Sequence, residues 1–214
     1  MADPRLFRLR VTFRETGRLA LLSHLEVARA LERSVRRAGL PYAVSQGFSP
    51  HMRIAFGAAL PVGVGGTSEF FDLFLTDYVA PDKALAALQE ASPADLYPTA
   101  TRYIEPRDPA ASVACPVSTY EVELSEAPRA LVVPETVTVV RKKKEKTLVV
   151  ADYLAGSVTQ EGARVTFTLV SKPTGSLRAD AFVRELLAAT VAAGHGAEDL
   201  RPTSFLRVEQ RETA

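Results

Sequence analysis

The chain has 214 residues, 47% of them hydrophobic, a composition that fits a folded protein of one large or two small domains. Twenty-six Lys and Arg nearly balance twenty-five Asp and Glu, so the net charge of +1 supplies no global field toward nucleic acid or membrane, and any electrostatic function must come from local segregation. The single cysteine, Cys115, excludes an intramolecular disulfide and cannot furnish the several thiolates of an iron–sulfur cluster.

In chain order, LFRLRVTFR (6–14) alternates apolar with basic or polar residues, the period of a half-buried strand with an arginine-rich polar face. Ser23 precedes Glu26 by three residues, a capping box that opens a helix ending at Gly39 and Pro41. Within it Val27, Ala28, Leu31, Val35 and Ala38 form the buried stripe, and Arg29, Arg33, Arg36 and Arg37 gather on another side. LPYAVS reads as a short strand, QGFSPHMR as a loop, and IAFGAALPVGVGG as a strand running into a glycine-rich bend. SEFFDLFLTD resumes a strand, APDKALAALQEAS is a second helix with Pro81 in its first turn, and LYPTATRYIE closes with a strand. The order β-α-β-β-α-β is that of the split βαβ, or ferredoxin-like, pattern.

Residues 106–118, with Pro106, Pro109 and Pro116, read as a linker between a first domain over 1–105 and a second over 119–214. The second domain offers STYEVEL, ETVTVVRKKKEK, TLVVADYLAGS and ARVTFTLVSK as strand-like runs, RADAFVRELLAATVAAG as a helix and TSFLRVEQ as a last strand. The expected fold class is α+β, two ferredoxin-like domains in tandem with the second degenerate. No stretch approaches the roughly 18 uninterrupted apolar residues of a membrane-spanning helix, and no amino-terminal run has the pattern of a signal peptide. A cytoplasmic protein with no membrane partner is expected.

Anion binding is the chemistry these residues suggest first. In SQGFSP, Gly47 lets the backbone approach an anion, Arg36, Arg37 and Arg53 are within reach, and Phe48 offers a face for a base; a plain tight turn with Phe48 tucked into the core is the alternative. Ser45 belongs to the same loop. RKKKEK places Arg141, Lys142, Lys143, Lys144 and Lys146 around one glutamate, either as a hairpin reaching a phosphate backbone or as a solvated tip. His24, at a helix start, and His51, in the loop, are candidates for a general base; packing is the plainer role for His24. Neither has a serine or cysteine at a triad spacing, His195 stands apart with no HExxH, and GVGG (63–66) lacks the lysine of a phosphate-binding loop. Glu69 and Asp72, three apart on a strand, point to opposite faces and make no carboxylate pair.

SHLEVARALERSVRRAGLPYAVSQGFSPHMRIAFGAALPVGVGGTSEFFDL resembles the bacterial radical SAM-linked protein family, a domain found beside or fused to a radical S-adenosylmethionine protein. SHLE, the ER-x-x-RRA helix, the S-x-GF-x-P-H loop and the EFFD strand carry the likeness, extended by the KKK stretch and by LRP near Arg201. Ser23, His24, Arg29, Arg33, Arg36, Arg37, Ser45, Gly47, Phe48, Pro50 and His51 match the motif; Glu26 stands where aspartate is expected, with the charge kept. The resemblance implies an accessory protein whose radical SAM partner supplies S-adenosylmethionine and an iron–sulfur cluster; from the lone cysteine and the scattered histidines, no cofactor and no metal are expected in this chain. With the local cations, it leads to the expectation of an adapter that binds RNA and presents it for modification, without activity of its own. A metal-independent endoribonuclease similar to the tandem ferredoxin-like nucleases that process CRISPR repeats, and a purely structural partner-binding module, are the alternatives.

Overall fold

The computed structural model describes residues 6–141 and 144–212. The chain divides into two compact units, Met1–Cys115 and Pro116–Ala214, each mixing strands and helices.

In the first unit β1 (Phe7–Glu15) is followed by α1 (His24–Arg37), β2 (Ile54–Phe56), β3 (Gly65–Leu75), α2 (Pro81–Ala91) and β4 (Leu96–Tyr103). β1 pairs antiparallel with β3 and β4, and β2 pairs antiparallel with β3, so the strands run β4-β1-β3-β2. The alternation read from the sequence sets one face: Leu9, Val11 and Phe13 of β1 and Phe71, Leu73 and Leu75 of β3 pack under Val27, Leu31 and Val35 of α1 and Ala84 and Leu88 of α2. Ser34 completes the buried row of α1, whereas Ala28 and Ala38 are half-buried. The short strand expected at 41–45 is instead a pair of isolated bridges, Tyr42 to Leu75 and Val44 to Met52.

The opposite face of this sheet is covered as well. The proline-rich stretch folds back, and the short helix α3 (Ala111–Ala114) sets Ala111 and Ala114 on Phe70, beside Ala55 and Cys115. Residues 106–115 therefore belong to the first compact unit, although their composition reads as a spacer. Local periodicity carries no sign of this because alanines and prolines make the contact.

In the second unit β5 (Val117–Leu124), β8 (Thr159–Glu161), β9 (Arg164–Val170) and β10 (Pro202–Arg211) form an antiparallel sheet in the order β10-β5-β9-β8. α4 (Ala179–Ala192) lies between β9 and β10 in the chain. Phe167 on β9 meets Phe182 of α4 edge-on at 4.9 Å between centroids and stacks on Tyr120 of β5 at 5.3 Å, which joins helix to sheet. Where the first unit has α1, between its first two sheet strands, this unit has the separate hairpin β6 (Thr136–Arg141) and β7 (Lys144–Val149). Counted along the chain, the sheet strands of both units are arranged fourth, first, third, second.

Candidate nucleic-acid interface

The arginine helix starts where Ser23 and Glu26 dictate. Glu26 Oε2 accepts from the backbone N–H of Ser23 at 2.8 Å and from its hydroxyl at 2.7 Å. These hydrogen bonds, aided by Arg29, hold the Glu26 carboxyl below its ordinary range. Because Val27, Leu31 and Val35 turn inward, Arg29, Arg33, Arg36 and Arg37 are all exposed. Two of them are partly compensated: Arg36 pairs with Glu32 at 3.2 Å, and Arg29 acts on Glu26.

The loop at 45–51 is a closed hairpin tip. The Ser45 N–H donates to the His51 carbonyl at 2.8 Å, and the His51 N–H donates to Ser45 Oγ at 3.0 Å. Ser45, expected among the binding residues, therefore uses its hydroxyl to hold the loop shut. Gly47 sits at φ 137°, a conformation that side chains disfavour, and Phe48 beside it is fully exposed at 112%. The tight turn of the alternative reading is present, but Phe48 is not tucked into the core. Arg53 lies lower on the same hairpin, its guanidinium 5.1 Å from the centre of the Phe74 ring.

His24 is exposed, and its ring meets Phe56 edge-on at 5.4 Å in a shallow depression that also holds Glu15 and Glu69. His51 is exposed at the hairpin tip and takes part in the clamp through its backbone. Among the described residues no group of three His, Cys, Asp or Glu is placed to hold a metal ion, and the thiol of Cys115 alone does not make a cluster site.

In the second unit Arg141 and Lys144 form the last pair of the β6–β7 ladder. Lys142 and Lys143 lie outside the described residues. Lys146, opposite Val139, is exposed and lines a hollow with Gly175, Ser176 and Arg178. A second, largely apolar hollow of about 570 Å³ lies against α4, lined by Val183, Leu187, Val191, Leu200 and Phe205 among others.

The sequence reading missed a buried charged cluster in the first unit. Asp72, fully buried, takes Arg8 Nη2 at 2.7 Å and Nε at 3.1 Å on Oδ2, and Arg10 Nε at 2.7 Å on Oδ1. The same Arg8 reaches the carbonyls of Asp108 and Pro109 at 2.8 and 2.7 Å, and Arg10 lies 4.4 Å above the Phe70 ring. The hydrogen bond to Asp72, against the cost of burial and with help from neighbouring negative charge, raises the pKa of Arg10. These arginines are structural, locked beneath the 105–114 segment.

A family model described as uncharacterized protein conserved in bacteria (DUF2344) matches residues 8–179. The chain belongs to this family. The DUF2344 match takes in α1, the 45–51 hairpin, the Arg8–Asp72–Arg10 cluster and hairpin β6–β7, and stops at the start of α4. No curated protein matches the chain. No helix is long and apolar enough to cross a membrane among the described residues.

Proposed function

We propose that this DUF2344 protein is an accessory RNA-binding protein that presents RNA to a separate radical SAM enzyme. The observation that carries the reading is Phe48, an aromatic ring fully displayed on a tip closed by Ser45 and positioned by Gly47. An exposed ring on a closed tip is suited to stacking on an unpaired base, an interaction that tolerates any sequence. The exposed arginines of α1, Arg33 and Arg37 above all, supply cations for phosphate contacts in the same unit.

Both units are read as ferredoxin-like, the second with its first helix replaced by hairpin β6–β7; the shared strand arrangement supports this. The radical SAM partner rests on the resemblance of the SHLE, RRA, GFSP and EFFD motifs. It would bring the iron–sulfur cluster and S-adenosylmethionine, since one cysteine cannot supply the thiolates. A reducing cytoplasm is the compartment in which these components would meet.

Salt-dependent binding of the purified chain to total cellular RNA tests the reading. Binding should weaken steeply with salt, and Arg33→Ala/Arg37→Ala should flatten that slope by about two units in log K against log salt. Absence of binding at low salt would remove RNA as the ligand. Cleavage of the RNA in chelator, abolished by His24→Ala, would replace the adapter with a nuclease.

A further inference from the structure

Hairpin β6–β7 and the turn that leads into α4 line an open hollow of about 470 Å³ within the second unit, inside the size range of small-molecule sites. Its walls divide by chemistry: Val139 and Leu148 are apolar, whereas Thr174, Ser176, Lys146 and Arg178 bring hydroxyls and cations. The hairpin register explains how a lysine comes to be there. Residues opposite each other in a ladder share a face, as do residues two apart, so the face that buries Val137 and Leu148 also carries Val139 and Lys146.

The far wall is a tight turn. Lys172 and Gly175 exchange backbone hydrogen bonds at 3.1 and 3.0 Å, and Gly175 takes φ 137°, a conformation that side chains disfavour. A Cβ on Gly175 would stand 3.9 Å from Lys146 Nζ, so bare backbone is what faces the ammonium. Arg178 is already held by Asp180, with Nε to Oδ1 at 2.9 Å and Nη2 to Oδ2 at 2.7 Å. Lys146 has no carboxylate partner among the described residues. Among the described residues the hollow thus has one uncompensated positive charge, with two hydroxyl-bearing residues and an aliphatic pair in its lining. A bare inorganic anion would use the charge and leave most of the volume and the apolar wall unfilled.

We propose that this hollow binds an organic phosphate of nucleotide size, with the phosphate at Lys146, Thr174 and Ser176 and the organic body against Val139 and Leu148. The site goes beyond the RNA-adapter reading and does not depend on it. Its ligand is either a free nucleotide or one nucleotide of an RNA strand, which offer the same chemistry.

Calorimetric titration of the full chain with adenosine 5′-monophosphate, and separately with a short single-stranded RNA, tests the site in wild type, Lys146→Met and Ser176→Ala. Saturable binding should fall about tenfold or more in Lys146→Met, the loss expected when a charged hydrogen bond to phosphate is removed, and by a smaller factor in Ser176→Ala. Tighter binding of the mononucleotide identifies a free nucleotide as the ligand; tighter binding of the RNA that is lost in Lys146→Met identifies a residue within a strand. No saturable binding of either probe, or undiminished binding in Lys146→Met, overturns the proposal. Arg33→Ala/Arg37→Ala serves as the reference for the other reading: it should reduce binding of cellular RNA while leaving mononucleotide affinity unchanged, so the failure of one idea is separable from the failure of the other.

Discussion

Arg10 grips Asp72 with two nitrogens, Nε to Oδ1 at 2.7 Å and Nη2 to Oδ2 at 3.0 Å, although the residues are 62 positions apart. The contact is possible because β1 and β3 pair in a register that sets these two residues opposite each other. Arg8 adds a second guanidinium to the same carboxylate, so two buried cations meet one anion. The surplus is tolerated because the remaining Arg8 donors end on two carbonyls and the Arg10 guanidinium rests on Phe70.

Asp72→Asn should therefore destabilise the chain by about 3–5 kcal/mol, the usual consequence of leaving buried charge without its partner. Urea unfolding measures it. Replacing all three with apolar residues, Arg8→Met/Arg10→Met/Asp72→Leu, should cost less than Asp72→Asn alone, since no ion is then stranded; a larger loss would show that the ion cluster itself stabilises the fold.

Arg8→Met should loosen the 105–114 segment, because two charge-assisted bonds to the carbonyls of Asp108 and Pro109 disappear. At about 1.5–3 kcal/mol for a hydrogen bond to a charged group, opening of the segment rises by roughly tenfold or more. Tryptic cleavage after the exposed Arg107 should accelerate accordingly. An unchanged rate would mean that Ala111 and Ala114 hold the segment without the clamp.

Glu26 gives a pH dependence whose sign is fixed. Its carboxyl has a lower pKa folded than unfolded, so it stabilises α1 fully above the ordinary glutamate range. That contribution fades as pH falls from there through the lowered value. The difference in thermal midpoint between wild type and Glu26→Gln should be present at neutral pH and shrink on acidification. A difference constant with pH would contradict the assignment.

Phe48→Ala should leave thermal stability within about 0.5 kcal/mol of wild type, as for other exposed side chains. Affinity for single-stranded RNA should drop by about 1–3 kcal/mol, the range for one lost base stack. Filter binding of labelled RNA is the measurement. Unaltered affinity would leave Phe48 to another partner.

Much of the first unit is written in periodicity. Ser23 and Glu26 start α1, Val27, Leu31 and Val35 turn it inward, and Pro81 opens α2, all from local spacing. The polar face of β1 is where local pattern misleads. Alternation says that Arg8 and Arg10 are unlike Leu9 and Val11, but not that the second face is roofed, because the roof arrives from residues 105–114. Phe48 was ambiguous for a different reason: a Gly-Phe-Ser-Pro turn has the same sequence whether its ring points in or out. β8, only Thr159–Glu161 and wholly polar, has no apolar alternation to reveal it; pairing with β9 makes it a strand.

The Arg8 clamp also sets an order of events during synthesis. The sheet's second face closes only when a residue near the beginning meets carbonyls at 108 and 109, a separation of 100 and 101 positions. Helix α1 and its neighbours can form as they emerge from the ribosome, but this first unit waits for residue 115 to clear the exit tunnel before its buried charges are fully enclosed. A nascent chain stalled shortly after β4 would hold two guanidiniums and a carboxylate under open water, a waypoint from which chaperones and proteases can still select.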